Sequence, residues 1–373
     1  MIARTIEPVI RSAISSGKAV ILLGARQVGK TTLATTLFGS QAGALWLNGD
    51  EPDVRALFEN INSTRLRAII GEAKTLVLDE AQRISDIGIK LKLITDQIKN
   101  VQLFATGSSS FNLANLINEP LTGRKRELVL YPLSFGEMVA YHGLLNETRL
   151  LEHRLVFGYY PEVVNSPGDE RKVLNEISDS YLYKDILALD QIKKSEKMMR
   201  LLRALAFQIG SQVSFNEIGQ LCGLDHKTIE RYISVLEQAF VIFRLGSYSS
   251  NLRNELKHSR KIYFIDNGVR NSIIADYRPI ELRDDIGKLW ENFLVSERLK
   301  RNSYLENYAN SWFWRTHQQQ EIDYIEELDG RLYAYEFKWN PSAKPKRVKE
   351  FLAAYPDNSF HVVHRDNFDE FLL

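Results

Sequence analysis

The sequence predicts an α/β protein whose first segment is a parallel sheet of the phosphate-loop type. Three observations predict it. Residues 24–31 read Gly-Ala-Arg-Gln-Val-Gly-Lys-Thr, a full match to G-x-x-x-x-G-K-[ST]. Residues 75–80, Thr-Leu-Val-Leu-Asp-Glu, are an apolar run closed by two acids. Up to about residue 145, apolar runs of strand length alternate with stretches of helix length, the rhythm of a parallel sheet covered by helices.

Ile6, Val9, Ile10, Ala13 and Ile14 recur at helical spacing, so a helix precedes the motif. Ala19 to Leu23 reads as a buried strand and Thr31 to Phe38 as a helix. Between them, two glycines let backbone N–H groups turn toward phosphate oxygens. The helix N-terminus adds its partial positive charge. Gly24, Ala25, Arg26, Gln27, Val28, Gly29, Lys30, Thr31 and Thr32 are therefore the expected nucleotide-binding loop. Lys30 is expected on the β- and γ-phosphates and the Thr31 hydroxyl on Mg²⁺. The bland alternative, a glycine-rich turn with a chance lysine, has the flanking strand and helix against it.

Ala44 to Leu47 is a short strand ending at Asn48-Gly49-Asp50; Pro52 to Phe58 and Arg65 to Ile70 look helical. The strand Thr75 to Asp79 delivers Asp79 to the Mg²⁺ shell and Glu80 to the attacking water. Metal binding and water activation need separate carboxylates. Ile87 to Ile98 is an amphipathic helix. Val101 to Ala105 is a strand running into Thr106-Gly107-Ser108-Ser109, where a hydroxyl can meet the γ-phosphate or the water. Glu127 to Leu130 is another short strand.

From about residue 146 the pattern turns helical: Leu150 to Phe157, Lys172 to Leu189 and Glu196 to Ile209. Ser214 to Leu221, a turn at Gly223 and Asp225 to Phe240 then resemble helix-turn-helix. Phe215, Ile218 and Leu221 form one apolar face, and Ile229, Ile233 and Leu236 the other, with Asp225 as N-cap. Val241 to Leu245 and Lys261 to Ile265 are strand-like, as a wing would be. His226, Lys227, Glu230 and Arg231 face outward; Lys227 and Arg231 suit phosphates and Glu230 opposes them, so DNA and a protein surface stay open as partners.

The last ninety or so residues change again. Ile286, Leu289, Trp290, Phe293 and Leu294 make a helical stripe. Strands follow at Ser311 to Thr316, Glu321 to Glu326 and Leu332 to Trp339, then a helix from Val348 to Tyr355 and a strand from Ser359 to Val363. Glu336 and Lys338 share a strand face. A hairpin across Asp329-Gly330 would bring Asp323 to them. Two carboxylates and a lysine so placed suit Mg²⁺ and phosphate chemistry, with Glu291 as a further ligand. The alternative is a solvated strand face carrying an ordinary ion pair. Lys344, Lys346, Arg347 and Lys349 add a basic helix start that hints at an anionic partner.

Composition bounds the rest. The 373 residues imply two to four domains, and 48 basic against 47 acidic residues create no global field toward a polyanion. Cys222 is the only cysteine, which excludes an intramolecular disulfide and a cysteine-clustered zinc site and fits the cytoplasm. No apolar run is long enough to span a bilayer, so no membrane is expected.

The order of these pieces resembles a prokaryotic family of AAA+ ATPases with a C-terminal domain similar to the PD-(D/E)xK nuclease fold. The residues carrying the likeness are 24–31, Leu76 to Gln82, Leu103 to Ser109, Leu121 to Arg124, Pro132 to Phe135 and Trp290-Glu291-Asn292. The resemblance implies an AAA+-like core at 1–145, a helical lid at 146–210, a winged helix at 211–280 and a nuclease-like α/β domain at 281–373. It implies ATP and Mg²⁺, with Lys30, Thr31, Asp79 and Glu80 as above and Ser108 or Thr106 as sensor. It implies an arginine, Arg124 or Arg126, facing a γ-phosphate in its own or a neighbouring subunit. It also implies Glu291, Asp323 and Glu336 with Lys338 as a nuclease-like set. Two functions follow: an ATP-dependent enzyme acting on DNA, or an ATP-driven switch that recruits or remodels a protein partner.

Overall fold

The computed structural model describes residues 1–108, 121–179, 195–248, 260–316, 320–343, 349–356 and 358–373. Ser109 and the basic residues Lys344, Lys346 and Arg347 lie outside the described residues, as does the end of the helix expected to run to Leu189. The chain divides into two compact units, Met1–Pro132 with Gln238–Phe240, and Leu133–Glu237 with Val241–Leu373.

In the first unit, strands β1 (Ala19–Leu23), β2 (Ala44–Asn48), β3 (Thr75–Asp79), β4 (Gln102–Gly107) and β5 (Lys125–Val129) form one sheet in the order β2-β3-β4-β1-β5. Every neighbouring pair is parallel. The helices are α1 (Glu7–Ser15), α2 (Lys30–Phe38), α3 (Pro52–Phe58), α4 (Ser63–Ile70) and α5 (Ile87–Gln97). All five residues of β1 and of β3 are buried, which explains their unbroken apolar runs. Ile21, Leu23, Leu76, Leu78 and Ala105 pack with Leu66, Ile84, Leu91 and Ile94 in one core. Local chemistry sets the helix starts: Pro8 opens α1, and the Asn62 side chain caps α4 by accepting from Arg65 N–H at 2.9 Å. Because β4 lies between β1 and β3, the strand ends bearing Gly24, Thr106 and Asp79 are neighbours at the carboxyl edge.

The second unit begins with a helix the sequence reading passed over, α6 (Phe135–His142). Ser134 and Glu137 cap it reciprocally, a capping box that the Ser-x-x-Glu spacing encodes. Helices α7 (Leu144–Arg149), α8 (Leu151–Phe157), α9 (Pro161–Val164), α10 (Glu170–Ile177) and α11 (Ser195–Phe207) follow. Then come the short β6 (Gln212–Val213), α12 (Phe215–Cys222), α13 (His226–Gln238), and the antiparallel strands β7 (Ile242–Ser247) and β8 (Arg260–Phe264). Asp225 caps α13 as expected, accepting from Thr228 N–H at 3.0 Å. Ile229, Ile233 and Leu236 are fully buried. Leu221 is not: it is 62% exposed, and Cys222 takes the inward position at 1%. His226, Lys227, Glu230 and Arg231 are exposed.

After α14 (Asn267–Ile274) and the long α15 (Ile286–Tyr304) come β9 (Asn310–Arg315), β10 (Glu321–Leu328), β11 (Arg331–Phe337), α16 (Lys349–Ala354), β12 (Asn358–Val363) and α17 (Phe368–Leu372). β10 and β11 form the expected hairpin, closed by Asp329 and Gly330 with φ of 52° and 78°, the left-handed pair a two-residue turn requires. β12 joins β11 in parallel. The expected boundary at 280/281 does not separate two sheets. β7 pairs in parallel with β9 through Gly246 and Ser247, giving one seven-stranded sheet, β12-β11-β10-β9-β7-β8-β6.

Candidate nucleotide site and C-terminal carboxylate cluster

The strand-to-helix turn after β1 is built as a phosphate loop. Gly29 sits at φ 95°, a conformation that glycine adopts without steric cost, and opens α2 at Lys30. Gly24 is needed for a different reason: a Cβ there would lie 2.3 Å from the backbone oxygen of Leu130. Lys30 is buried, and its Nζ donates to the carbonyls of Gly24 at 3.0 Å and Ala25 at 2.7 Å. Burial lowers its pKa to about 8, against the opposing pull of Glu80 and Asp79.

The Thr31 hydroxyl donates to Asp79 Oδ2 at 2.8 Å, and the Thr106 hydroxyl donates to Asp79 Oδ1. Glu80 follows with φ 47° and ψ 43°, left-handed backbone that is rare for a glutamate and costs on the order of 1–3 kcal/mol. Its N–H reaches Thr106 Oγ1 at 3.2 Å. Gln82 Nε2 donates to Glu80 Oε2 at 2.5 Å and to Ser108 Oγ at 2.9 Å. Gln82 Oε1 is buried without a hydrogen-bond partner. Thr31 with Asp79, and Glu80 with Ser108, thus meet across three strand ends. The donor set fits a hydrated Mg²⁺ beside phosphate: hard oxygens from Thr31 and Asp79, backbone amides at a helix start, and one orphaned acceptor at Gln82.

Two residues depart from the sequence reading. Arg124 precedes β5, and its carbonyl accepts from Ala19 N–H at 3.0 Å, at the start of β1. The phosphate loop lies at the other end of that strand, roughly 16 Å away at the usual rise. Arg124 pairs with Asp96 at 2.7 Å and takes no part in its own chain's site. Arg4, to which the sequence reading gave no role, braces the loop instead. It donates to the Val28 carbonyl at 2.8 Å and to the Tyr131 carbonyl at 2.7 Å. No local pattern announces such a brace, since its partners are backbone atoms far along the chain.

In the second unit, extending the β10–β11 register by one pair sets Asp323 opposite Glu336. Asp323 Oδ2 accepts from Phe337 N–H at 2.8 Å, and Glu336 Oε1 accepts from Lys338 Nζ at 2.6 Å. Glu336 Oε2 is buried without a partner. Glu291, on α15, lies close enough to raise the Asp323 carboxyl but is itself held by other donors. Its Oε1 accepts from Lys261 Nζ at 2.8 Å and from the Tyr263 hydroxyl at 2.7 Å. Lys261 also lies 2.5 Å from Glu321. Burial, then the charge of Glu291, pushes the Asp323 carboxyl well above the usual range. Burial likewise raises Glu336, against the pull of Lys338. Burial lowers the Lys261 pKa, but Glu291, Asp323 and Glu321 outweigh it and hold the ammonium above its ordinary pKa.

The structure therefore gathers Glu291, Asp323, Glu336 and Lys338 into one neighbourhood, but not in the geometry expected of a metal centre. Among the described residues, no group of three or more His, Cys, Asp or Glu side chains is placed to hold a metal ion. Lys261, which the sequence reading saw only as part of a wing strand, sits among these carboxylates.

Residues 16–139 match the family described as an AAA domain. Residues 148–278 and 286–371 match two domains of unknown function (DUF8612 and DUF4143). An uncharacterized protein of Mycobacterium tuberculosis is 28% identical over 337 residues, covering 88% of this chain and 72% of its own. An uncharacterized protein of Methanocaldococcus jannaschii is 22% identical over 378 residues, covering 95% and 82%. The solved structure of a Walker-type ATPase of Pyrococcus abyssi is similar at a TM-score of 0.51 and 14% identity, over 74% of this chain and 96% of that one. At that identity the likeness speaks to fold alone. Residues 16–139 thus combine similarity to an AAA domain with the parallel-sheet fold of a P-loop protein. Among the described residues no helix is long and apolar enough to cross a membrane.

Proposed function

We propose that this chain is an ATP-driven switch, whose first unit binds and hydrolyses ATP and whose second unit presents the response to a macromolecular partner. The observation that carries the reading is the assembled set of Thr31, Asp79, Thr106 and Glu80 at the carboxyl edge of the parallel sheet. Lys30 binds the β- and γ-phosphates, leaving the Gly24 and Ala25 carbonyls that its ammonium occupies here. Thr31 and Asp79 would hold Mg²⁺, which neutralises phosphate charge when bound. Glu80 orients the attacking water and accepts its proton, while Gln82 fixes the carboxylate and links it to Ser108. Thr106 locks Asp79 in place. Arg124, at the far end of β1, leaves the nucleotide of its own chain to these groups. The test is hydrogen exchange of residues 133–373 in a Glu80→Gln chain with ATP against ADP. The switch predicts a difference in protection there; identical exchange with both nucleotides contradicts it.

A second reading has one observation in its favour. Asp323, Glu336 and Lys338 share neighbouring strands, and Glu336 Oε2 is buried and unpartnered. That arrangement supports an ATP-coupled, Mg²⁺-dependent nuclease acting on DNA, with α12 and α13 as a winged-helix docking element through Lys227 and Arg231. Labelled single- and double-stranded DNA, incubated with Mg²⁺ or Mn²⁺ with and without ATP, decides it. Cleavage that disappears in Lys338→Ala and Asp323→Ala establishes the nuclease; no cleavage, with ATP turnover intact, leaves the switch.

A further inference from the structure

The carboxylate cluster of the second unit already contains a cation. Lys261 is 1% exposed, and its Nζ sits 2.8 Å from Glu291 on α15 and 2.5 Å from Glu321 on β10. Tyr263, two residues on and on the same strand face, donates to the same Glu291 oxygen at 2.7 Å. The backbone of Lys261 is fixed on both sides, opposite Leu245 of β7 and Gln212 of β6. The side chain therefore projects from a central strand and is not an arm that swings clear.

The charges nearly balance without a metal. Four carboxylates, Glu291, Glu321, Asp323 and Glu336, face Lys261, Lys338 and Arg315, the last 3.6 Å from Glu321. One excess negative charge remains, and Asp323 and Glu336 are the two acids whose surroundings favour keeping a proton. Glu291, Asp323 and Glu336 each have an oxygen engaged by a donor of the protein itself. A divalent ion entering here meets a buried ammonium and carboxylates already bonded, so both repulsion and lost hydrogen bonds oppose it.

We infer that Lys261 is the resident cation of this cluster: its ammonium replaces a divalent metal in bridging Glu291 and Glu321, and the cluster takes up neither Mg²⁺ nor Mn²⁺. The inference concerns the second unit alone and stands separately from the ATPase reading. It favours a binding role for the second unit over metal-dependent cleavage.

The experiment is a Mn²⁺ titration of the full chain without nucleotide, read by electron paramagnetic resonance of the free ion. An Asp79→Asn chain, run in parallel, identifies any Mn²⁺ held at the ATPase site. In wild type, no Mn²⁺ site should depend on Asp323 or Glu336. Lys261→Met removes the ammonium at nearly constant volume and should gain a site at least tenfold tighter than any in wild type, lost again on adding Asp323→Asn. Its melting temperature should recover with Mn²⁺. A wild-type Mn²⁺ site weakened tenfold or more by both Asp323→Asn and Glu336→Gln overturns the inference, and that comparison holds even where Lys261→Met does not fold. A folded Lys261→Met chain that acquires no Mn²⁺ overturns it equally.

Discussion

ATP affinity should fall as pH rises through 8, while the stability of the nucleotide-free chain should move the other way. Both follow from Lys30. Burial lowers its pKa from 10.5 to about 8 in the empty site. Phosphate oxygens bind the ammonium, so a neutral Lys30 must first take up a proton. If bound ATP returns the pKa to its ordinary range, the apparent Kd grows as 1 + 10^(pH−8), about twofold at pH 8 and roughly tenfold at pH 9. Proton uptake on binding is then about 0.5 at pH 8 and about 0.9 at pH 9. For folding the sign reverses. Between about 8 and 10.5 the unfolded chain keeps a proton that the folded chain has released, so stability rises with pH, by at most roughly 3 kcal/mol. The assay is isothermal titration calorimetry at pH 7, 8 and 9 in two buffers of different ionisation enthalpy. Lys30→Arg, which stays protonated, should bind with no uptake from this position. A Kd unchanged from pH 7 to 9, or equal uptake in Lys30→Arg, refutes the reasoning.

Three further outcomes are expected. Arg4→Ala removes two donors from the Val28 and Tyr131 carbonyls, about 1 kcal/mol each; the KM for ATP should rise about tenfold, with Arg4→Lys recovering part, in steady-state turnover. Gly24→Ala drives a Cβ to 2.3 Å from the Leu130 carbonyl and should cost about 1–3 kcal/mol in urea unfolding of the chain. Thr106→Val leaves Asp79 Oδ1 and the Glu80 N–H without their shared hydroxyl and should slow turnover more than it weakens ATP binding, seen as a fall in kcat at near-constant KM.

The first unit was largely legible because its signals are local. An apolar run, a glycine-bounded loop and a helix start occupy consecutive residues, so β1, the loop and α2 fall within a residue of where the pattern puts them. The Asp329-Gly330 turn worked for the same reason: two left-handed residues fix the β10–β11 register, and with it the approach of Asp323 to Glu336. What stayed hidden depends on contacts distant in sequence. Gly246 pairs with Trp312, and nothing in either stretch says so. That pairing carries β8 into the C-terminal sheet and Lys261 into the carboxylate cluster. Arg4 reaches Tyr131 across 127 residues. Leu221 was misplaced by one position: helical spacing from Ile218 allows either residue inward, and the turn at Gly223 selects Cys222. The capping box at Ser134 and Glu137 is readable in the Ser-x-x-Glu spacing, although no helix was expected there.

The switch proposed above requires Glu80 to activate water in a site whose nucleotide-binding parts are separate from it. The most direct measurement is ATP binding and ATP turnover of Glu80→Gln beside wild type. The substitution keeps Lys30, Thr31 and Asp79 and leaves an amide that still accepts from Gln82 but no longer takes a proton. ATP should bind within about twofold of wild type while turnover falls roughly 10²–10⁴-fold. Turnover near the wild-type rate, or loss of ATP binding along with it, contradicts the account.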